Sequence, residues 1–304
     1  MIIAFVTNCT HQTGRSSSGP YLGQTPPDTV PKLFAPGIIS NAGFHLHSSL
    51  AFSPNGTEVY FTRIIFEPET KGTICQMTQE GDVWSDVQTA PFSGVFNDDS
   101  PVFSPDGTRL YFTSTRPVHD NDLPDDLNIW FVERTAEGWG EPVYGGDVLN
   151  TDHSDFRLSI TRDGTIYLSS DRDDFENGTF DIFTSSRIDG TYTKPRKLGQ
   201  GISTPATEQI AYVAPDESHV VFYRHDRANT NETGLYISFR GNDGSWGRSL
   251  NMGERINSPP EAVTQAASIS PDGRYLFFLR RRHEAVYWVG ASVIEELSSS
   301  PGRP

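Results

Sequence analysis

Cysteine is nearly absent: Cys9 and Cys75 are the only two in 304 residues. A disulfide framework is therefore not the main source of stability. Basic charge is scarce as well, with 24 Lys and Arg against 39 Asp and Glu for a net charge of −15. That balance argues against nucleic acid, whose phosphates demand a basic surface. No apolar run approaches the ~20 residues needed to span a bilayer as a helix. No window shows a sustained helical period either. A Gly-x-Ser-x-Gly elbow is missing, so a nucleophile-elbow serine hydrolase has no support.

What the chain has is turns and repeats. Its 27 Gly and 21 Pro suit a turn-rich β fold. The stretch Ser104-Pro105-Asp106-Gly107-Thr108-Arg109-Leu110-Tyr111-Phe112 reads as a tight turn followed by an aromatic strand. Pro presets φ, Asp bonds its own backbone and Gly accepts positive φ. Related turns begin at Ser53, Thr161, Ala214 and Ser270, in steps of 51, 57, 53 and 56 residues. Each leads into a strand: Val59-Tyr60-Phe61, Ile166-Tyr167-Leu168, Val220-Val221-Phe222 and Tyr275-Leu276-Phe277-Phe278. A third strand follows at Ile74, Ile129, Ile182, Leu235 and Val286. A fourth is flagged by Trp84, Trp139, Tyr192 and Trp246. Strand-only repeats of about this length predict a propeller with four-stranded blades.

The fifth repeat stops after its third strand. Val30-Pro31-Lys32-Leu33-Phe34-Ala35-Pro36-Gly37 resembles the fourth-strand segment that begins at Lys194. The N-terminal segment is thus expected to supply the outer strand of the last blade and close a five-bladed ring over residues 28–297, hiding sheet edges. Residues 1–27 read as a signal remnant and flexible tether, and 298–304 as a disordered tail.

These turns resemble the TolB-type (WD-repeat-like) propeller repeat of bacterial proteins. Leu235-Tyr236-Ile237-Ser238-Phe239-Arg240 and the ending from Tyr287 to Leu297 resemble bacterial proteins built only of such repeats. The resemblance implies the fold. For function it implies several roles, namely protein-binding scaffold, carbohydrate-associated module or, in related propellers, metal-dependent enzyme, because fold does not fix function. The run Met1 to Val6 ending near Cys9 looks like the tail of a bacterial lipoprotein signal. The expectation is a periplasmic or envelope-facing monomer with a lipid anchor through Cys9 and no membrane span.

Chemistry is sought at the starts of the innermost strands, which open onto one mouth of the central channel. Counting back six residues from each turn gives His47, Asp98, Asp155, Glu208 and Thr264, and counting back eight gives His45 and His153. Residues two apart in a strand share a face. The expectation is a divalent metal site of His45, His47, Asp98, His153, Asp155 and Glu208, for zinc, manganese or calcium. Glu208 or Asp155 would act as general base on metal-bound water, hydrolysing an ester, phosphoester or lactone. The other reading of the same acids is that they cap strand starts. A second ring, Arg63, Arg116, Arg172, Arg224 and Arg280, either recognises an anionic small-molecule or glycan ligand or pairs with neighbouring acids. The alternative function is a non-catalytic envelope scaffold that binds a protein or glycan. The Asp-rich loop containing Asp120, Asp122, Asp125 and Asp126 reads as a solvated acidic loop, and Cys75 as a small core residue.

Overall fold

A strand that alternates Leu110 and Phe112 with Arg109 and Tyr111 must bury one face and find partners for its backbone. In the computed structural model it does so five times around a ring. Residues 17–40, 43–66, 70–118, 126–173, 178–229, 232–257, 259 and 263–299 are described. Cys9 and the acidic loop, apart from Asp126, lie outside them.

Blade two runs outward through Asp98–Phe103, Arg109–Ser114, Asn128–Thr135 and Val143–Tyr144, all antiparallel. Blade three uses Asp155–Ile160, Ile166–Ser170, Asp181–Ser185 and Arg196–Lys197. Blade four uses Thr207–Val213, His219–His225, Gly234–Phe239 and Leu250–Asn251. In blade one the innermost strand is broken into His45–Leu46 and Ala51–Phe52, both paired with Glu58–Ile65.

Blade five closes the ring as expected. Thr264–Ile269, Tyr275–Arg280 and Ala285–Gly290 are completed by Lys32–Leu33, with Lys32 opposite Trp288. Phe34, fully buried, meets Phe277 at 5.0 Å and Trp288 at 5.2 Å between ring centroids. The two ends of the chain are thus joined by a main-chain ladder and an aromatic cluster.

The aromatic markers lie slightly off their expected place. Trp84, Trp139 and Tyr192 sit on short hairpin extensions before the fourth strand. They work as rivets between blades. Trp139 donates its indole N–H to Tyr60 of the preceding blade at 2.8 Å, and Tyr192 and Tyr111 hydroxyls meet at 3.3 Å. Trp246 packs edge-on against Tyr167 at 6.1 Å. Cys75 is fully buried in the core between the first and last blades.

The repeated turn is held by one carboxylate. Asp106 Oδ1 accepts the Ser104 hydroxyl at 2.6 Å and the Thr108 N–H at 3.0 Å, while Gly107 takes φ 71°. Those bonds lower the pKa of Asp106, with Ser104 the largest cause. Asp163 is lowered by the same pair of partners, the Thr161 hydroxyl and the Thr165 N–H. Asp216 is lowered chiefly by Ser218, and Asp272 by Ser270 and Arg274 against a burial that pushes it up. A depressed carboxyl stabilises the fold above its ordinary pKa of about 3.9 and loses that contribution as pH falls through the folded value. Blade one carries Asn55 in the same role, accepting from Ser53 at 2.7 Å. Replacing Asp106, Asp163, Asp216 and Asp272 together by Asn should therefore flatten the acid limb. Stability followed by circular dichroism should fall less between about pH 5 and pH 2 than in the parent. An unchanged or steeper acid limb would contradict this.

Candidate functional site: the basic mouth of the channel

The strand-start acids point into the blades. Asp98, Asp155 and Glu208 are all fully buried. Asp98 pairs with Arg116 and accepts hydroxyls from Ser93 at 2.8 Å and Ser114 at 2.7 Å. Asp155 pairs with Arg172 and accepts the Thr151 N–H at 2.6 Å. Glu208 pairs with Arg224 at 2.8 Å and accepts the Thr204 hydroxyl at 2.5 Å. Burial raises the pKa of Asp98 and of Glu208, and the facing guanidinium pulls in the opposite direction.

The arginine ring faces the incoming loops. Each guanidinium donates to a main-chain carbonyl of the loop that enters its own blade. Arg63 reaches Ile38 at 3.3 Å, Arg116 reaches Phe92, and Arg172 reaches Leu149 at 2.7 Å. Arg224 reaches Ile202 at 2.9 Å and Arg280 reaches Ile256 at 3.5 Å. The two predicted rings are therefore one device that pins incoming loops to blades. Three of the five, Arg116, Arg172 and Arg224, pair with neighbouring acids, as one of the two readings expected.

This geometry corrects the proposed ligand set. Among the described residues no group of three His, Cys, Asp or Glu stands close enough to hold a metal ion. The three carboxylates lie in separate blades and are already bonded to guanidinium groups, so the donor set does not fit zinc, manganese or calcium. His45 lies at the surface, bonded through Nδ1 to Glu284 at 2.6 Å. His153 is half-buried and interacts electrostatically with Asp171. Asp155 and Glu208, held between Arg and Thr, are not placed to act as bases toward the channel.

One residue further on, the side chains do face the channel. Strand pairing shows why the count from the turn misleads. Glu208 stands opposite Arg224, and Thr264 opposite Arg280, but in blade one it is Leu46 that stands opposite Arg63. His47 therefore corresponds to Asp99, Phe156, Gln209 and Gln265, the channel-facing set. Blade one has one more residue between this position and its turn than the others do.

His47, Phe156, Gln209 and Gln265 line a cavity of about 700 Å³ at this mouth. Arg157, Arg227, Arg281 and Arg282 also line it, with Tyr223 and His225, and no Asp or Glu does among the described residues. Four guanidinium groups thus surround one basin in a protein of net charge −15. Field lines of one sign in a concave, low-dielectric wall concentrate counter-ions there.

An acid lies beneath His47. Asp99 accepts from His47 Nδ1 at 2.8 Å. Burial pushes the Asp99 pKa up, but His47 and Arg157 outweigh it and hold the carboxyl well below the usual range. Facing an ionised Asp99, Nδ1 of His47 is the donor of that bond, and Nε2 is the ring nitrogen turned away from Asp99. Tyr223 is raised by burial, an effect opposed by Arg157 and Arg281. Sequence reasoning placed His47 at the channel but missed Asp99, Arg157, Gln209, Gln265, Arg281 and Arg282.

No family model matches the sequence, and no match is found among curated proteins. Solved structures do match. A protein of unknown function from Dyadobacter fermentans is 13% identical with a TM-score of 0.52, over 91% of this chain and 85% of that one. A protein assigned to TolB from Agrobacterium tumefaciens is 17% identical with a TM-score of 0.48, over 77% and 69%. A gluconolactonase from Xanthomonas campestris is 13% identical with a TM-score of 0.43, over 89% and 97%. Likeness at these identities concerns the fold, and the site must be argued from its own residues.

Proposed function

We propose that the channel mouth binds a small anionic molecule and hydrolyses an ester or lactone bond in it. The observation that carries this reading is the basin itself: about 700 Å³, four arginines, no lining carboxylate among the described residues, and a histidine oriented by a buried aspartate. A concave site with a few convergent polar groups is the usual form of a small-molecule site.

His47 is the group there that can take a proton. In the proposed step, water gives its proton to His47 Nε2 while its oxygen bonds to the carbonyl carbon. Asp99 stabilises the imidazolium that forms. The carbon–oxygen bond to the leaving alcohol then breaks, and the proton passes from His47 to the departing oxygen. The surrounding guanidinium groups stabilise the charge that develops on the carbonyl oxygen. Ester and water give acid and alcohol, with no other reactant.

The scaffold alternative has less to rest on. The exposed large apolar side chains Val30, Phe66, Val83, Val95, Val143, Val148 and Ile188 are spread over four blades, whereas partner surfaces are contiguous. An envelope location through Cys9 remains part of the proposal, tested by fatty-acid labelling in cells.

The test begins with binding. Acidic lactones and esters should raise the melting temperature, while neutral analogues of the same size should not. Arg281→Glu with Arg282→Glu should weaken that binding by at least about tenfold at low salt, and by less as salt screens the field. Equal stabilisation by neutral analogues, or an unchanged affinity in the double variant, would remove the reading.

A further inference from the structure

We infer that the floor of the basin is a grip for a carboxylate group, made by the Nε–Nη2 edge of Arg157 and the side-chain amide of Gln265. This deepens the anion-binding reading of the basin and rests on it.

In three blades the innermost strand carries a bulge directly after the channel-facing position, where one residue takes positive φ, while in blade four the bulge falls one residue later, after Ile210. The residues with positive φ are Ser100 at 54°, Arg157 at 44° and Ala266 at 49°. A non-glycine residue held there costs of order 1 kcal/mol, and such costs cluster at functional sites. Two of the three are small. Blade three alone puts a long side chain at the bulge, which aims a guanidinium at the channel axis. Arg157 lines both the outer basin and a narrower space of about 40 Å³ below it, bounded by Ser48, Ser49, Ser100 and Ala266. It is the partition between them.

The second observation is a deficit of partners. Arg157 is 7% exposed and Gln265 3% exposed. Arg157 Nη1 donates to Gln209 Oε1 at 3.0 Å. Arg157 Nε and Gln265 Nε2 have no hydrogen-bond partner among the described residues, although both are buried and both residues line the basin. A guanidinium offers five N–H donors, and an unsatisfied buried donor is costly. Gln209 occupies one end of Arg157 and leaves the side edge, where Nε–H and Nη2–H run parallel. That fork matches the two oxygens of a carboxylate. The Gln265 amide adds a donor to the same group.

Charge selects among anions. Arg157 carries one positive charge and Asp99 beneath it one negative charge, and the two interact. Those two charges cancel, so a bound planar monoanion leaves one negative charge for Arg281 and Arg282 to offset, whereas a phosphate dianion leaves two and is repelled more strongly by Asp99. The rest of the ligand then extends past His47 toward Arg281 and Arg282. The substrate class is thus a carboxylic acid whose ester or lactone bond lies beside His47.

The test uses the full-length protein and the Arg157 Nε–H resonance in ¹⁵N spectra, assigned by its loss in Arg157→Lys. Acetate, a carboxylate monoanion, should shift that resonance. Its affinity should fall at least about tenfold in Gln265→Glu, which keeps the shape and adds a repelling charge. Inorganic phosphate at equal concentration should bind more weakly. If acetate stabilises the protein but leaves the Arg157 resonance and the Gln265→Glu affinity unchanged, the basin binds anions and the grip is wrong. If phosphate binds as well as acetate, the carboxylate assignment is wrong. If no anion binds at all, the basin reading fails with it. Should Arg157→Lys not fold, Gln265→Ala and Gln265→Glu still decide the point, because both leave the partition in place.

Discussion

Replacing Asp98 by alanine should lower the free energy of unfolding by about 3–5 kcal/mol, because it strands the buried Arg116 guanidinium. Asp98 is fully buried, and Arg116 is 9% exposed between the rings of Phe96 and Phe112. The variant also frees the Ser93 and Ser114 hydroxyls that Asp98 accepts. Urea denaturation of Asp98→Ala, Arg116→Met and the double variant measures the coupling. The double variant should be more stable than the sum of the two single losses predicts, since no charge is then left alone. A loss below about 1 kcal/mol for Asp98→Ala would place the pair with ordinary surface ion pairs and sink the account of the blade junction. The same reasoning extends to Asp155 with Arg172 and Glu208 with Arg224, which repeat the arrangement in the next two blades.

This prediction also shows why the sequence misled about chemistry while it was right about architecture. The turn beginning at Ser104 is a local object, set by the bonding of Asp106 and the positive φ of Gly107, so its copies can be counted along the chain. Five turns, third strands at regular spacing and a fourth-strand segment near Lys32 were enough to infer a closed ring. What a repeat count does not show is which way a side chain points. Strand side chains alternate, so an offset of one residue exchanges the blade interior for the channel. Asp98, Asp155 and Glu208 form a true ring in register, and they face inward to the blades. The break between Leu46 and Ala51 shifts blade one by one residue, which puts His47 on the channel face beside them in the count but not in space.

The basin's own residues left a fainter signal. Gln209 and Gln265 recur five residues before their turns, at the position of Asp99 and Phe156. Arg157 follows Phe156 and reaches the axis only because the bulge gives it φ 44°. No propensity rule marks that conformation for an arginine, since it is imposed by the ring. Arg281 and Arg282 look in the sequence like part of a charged turn, and only ring closure brings them over the same mouth as Arg157. Long-range geometry, not local pattern, assembled the site.

The second large effect is expected at Asp99. Asp99→Asn should abolish most turnover, by about 10²–10⁴-fold, while leaving anion binding intact or tighter. An asparagine amide can donate to His47 Nδ1, which moves the ring proton to Nε2 and removes the lone pair that faces the substrate. The same change deletes the one negative charge beneath Arg157, so a bound carboxylate meets less repulsion. Binding and chemistry therefore move in opposite directions, a pattern that simple disruption of the site would not produce. ¹⁵N spectra of the His47 ring report the tautomer directly and do not depend on knowing the substrate. Nδ1 should carry the proton in the parent protein, and Nε2 in Asp99→Asn. Because Asp99 is held well below the usual carboxylate range, loss of activity on mild acidification belongs to another group and should persist in Asp99→Glu, which keeps the charge. An unchanged tautomer together with full turnover in Asp99→Asn would remove His47 from the proposed chemistry and leave the basin as a binding site alone.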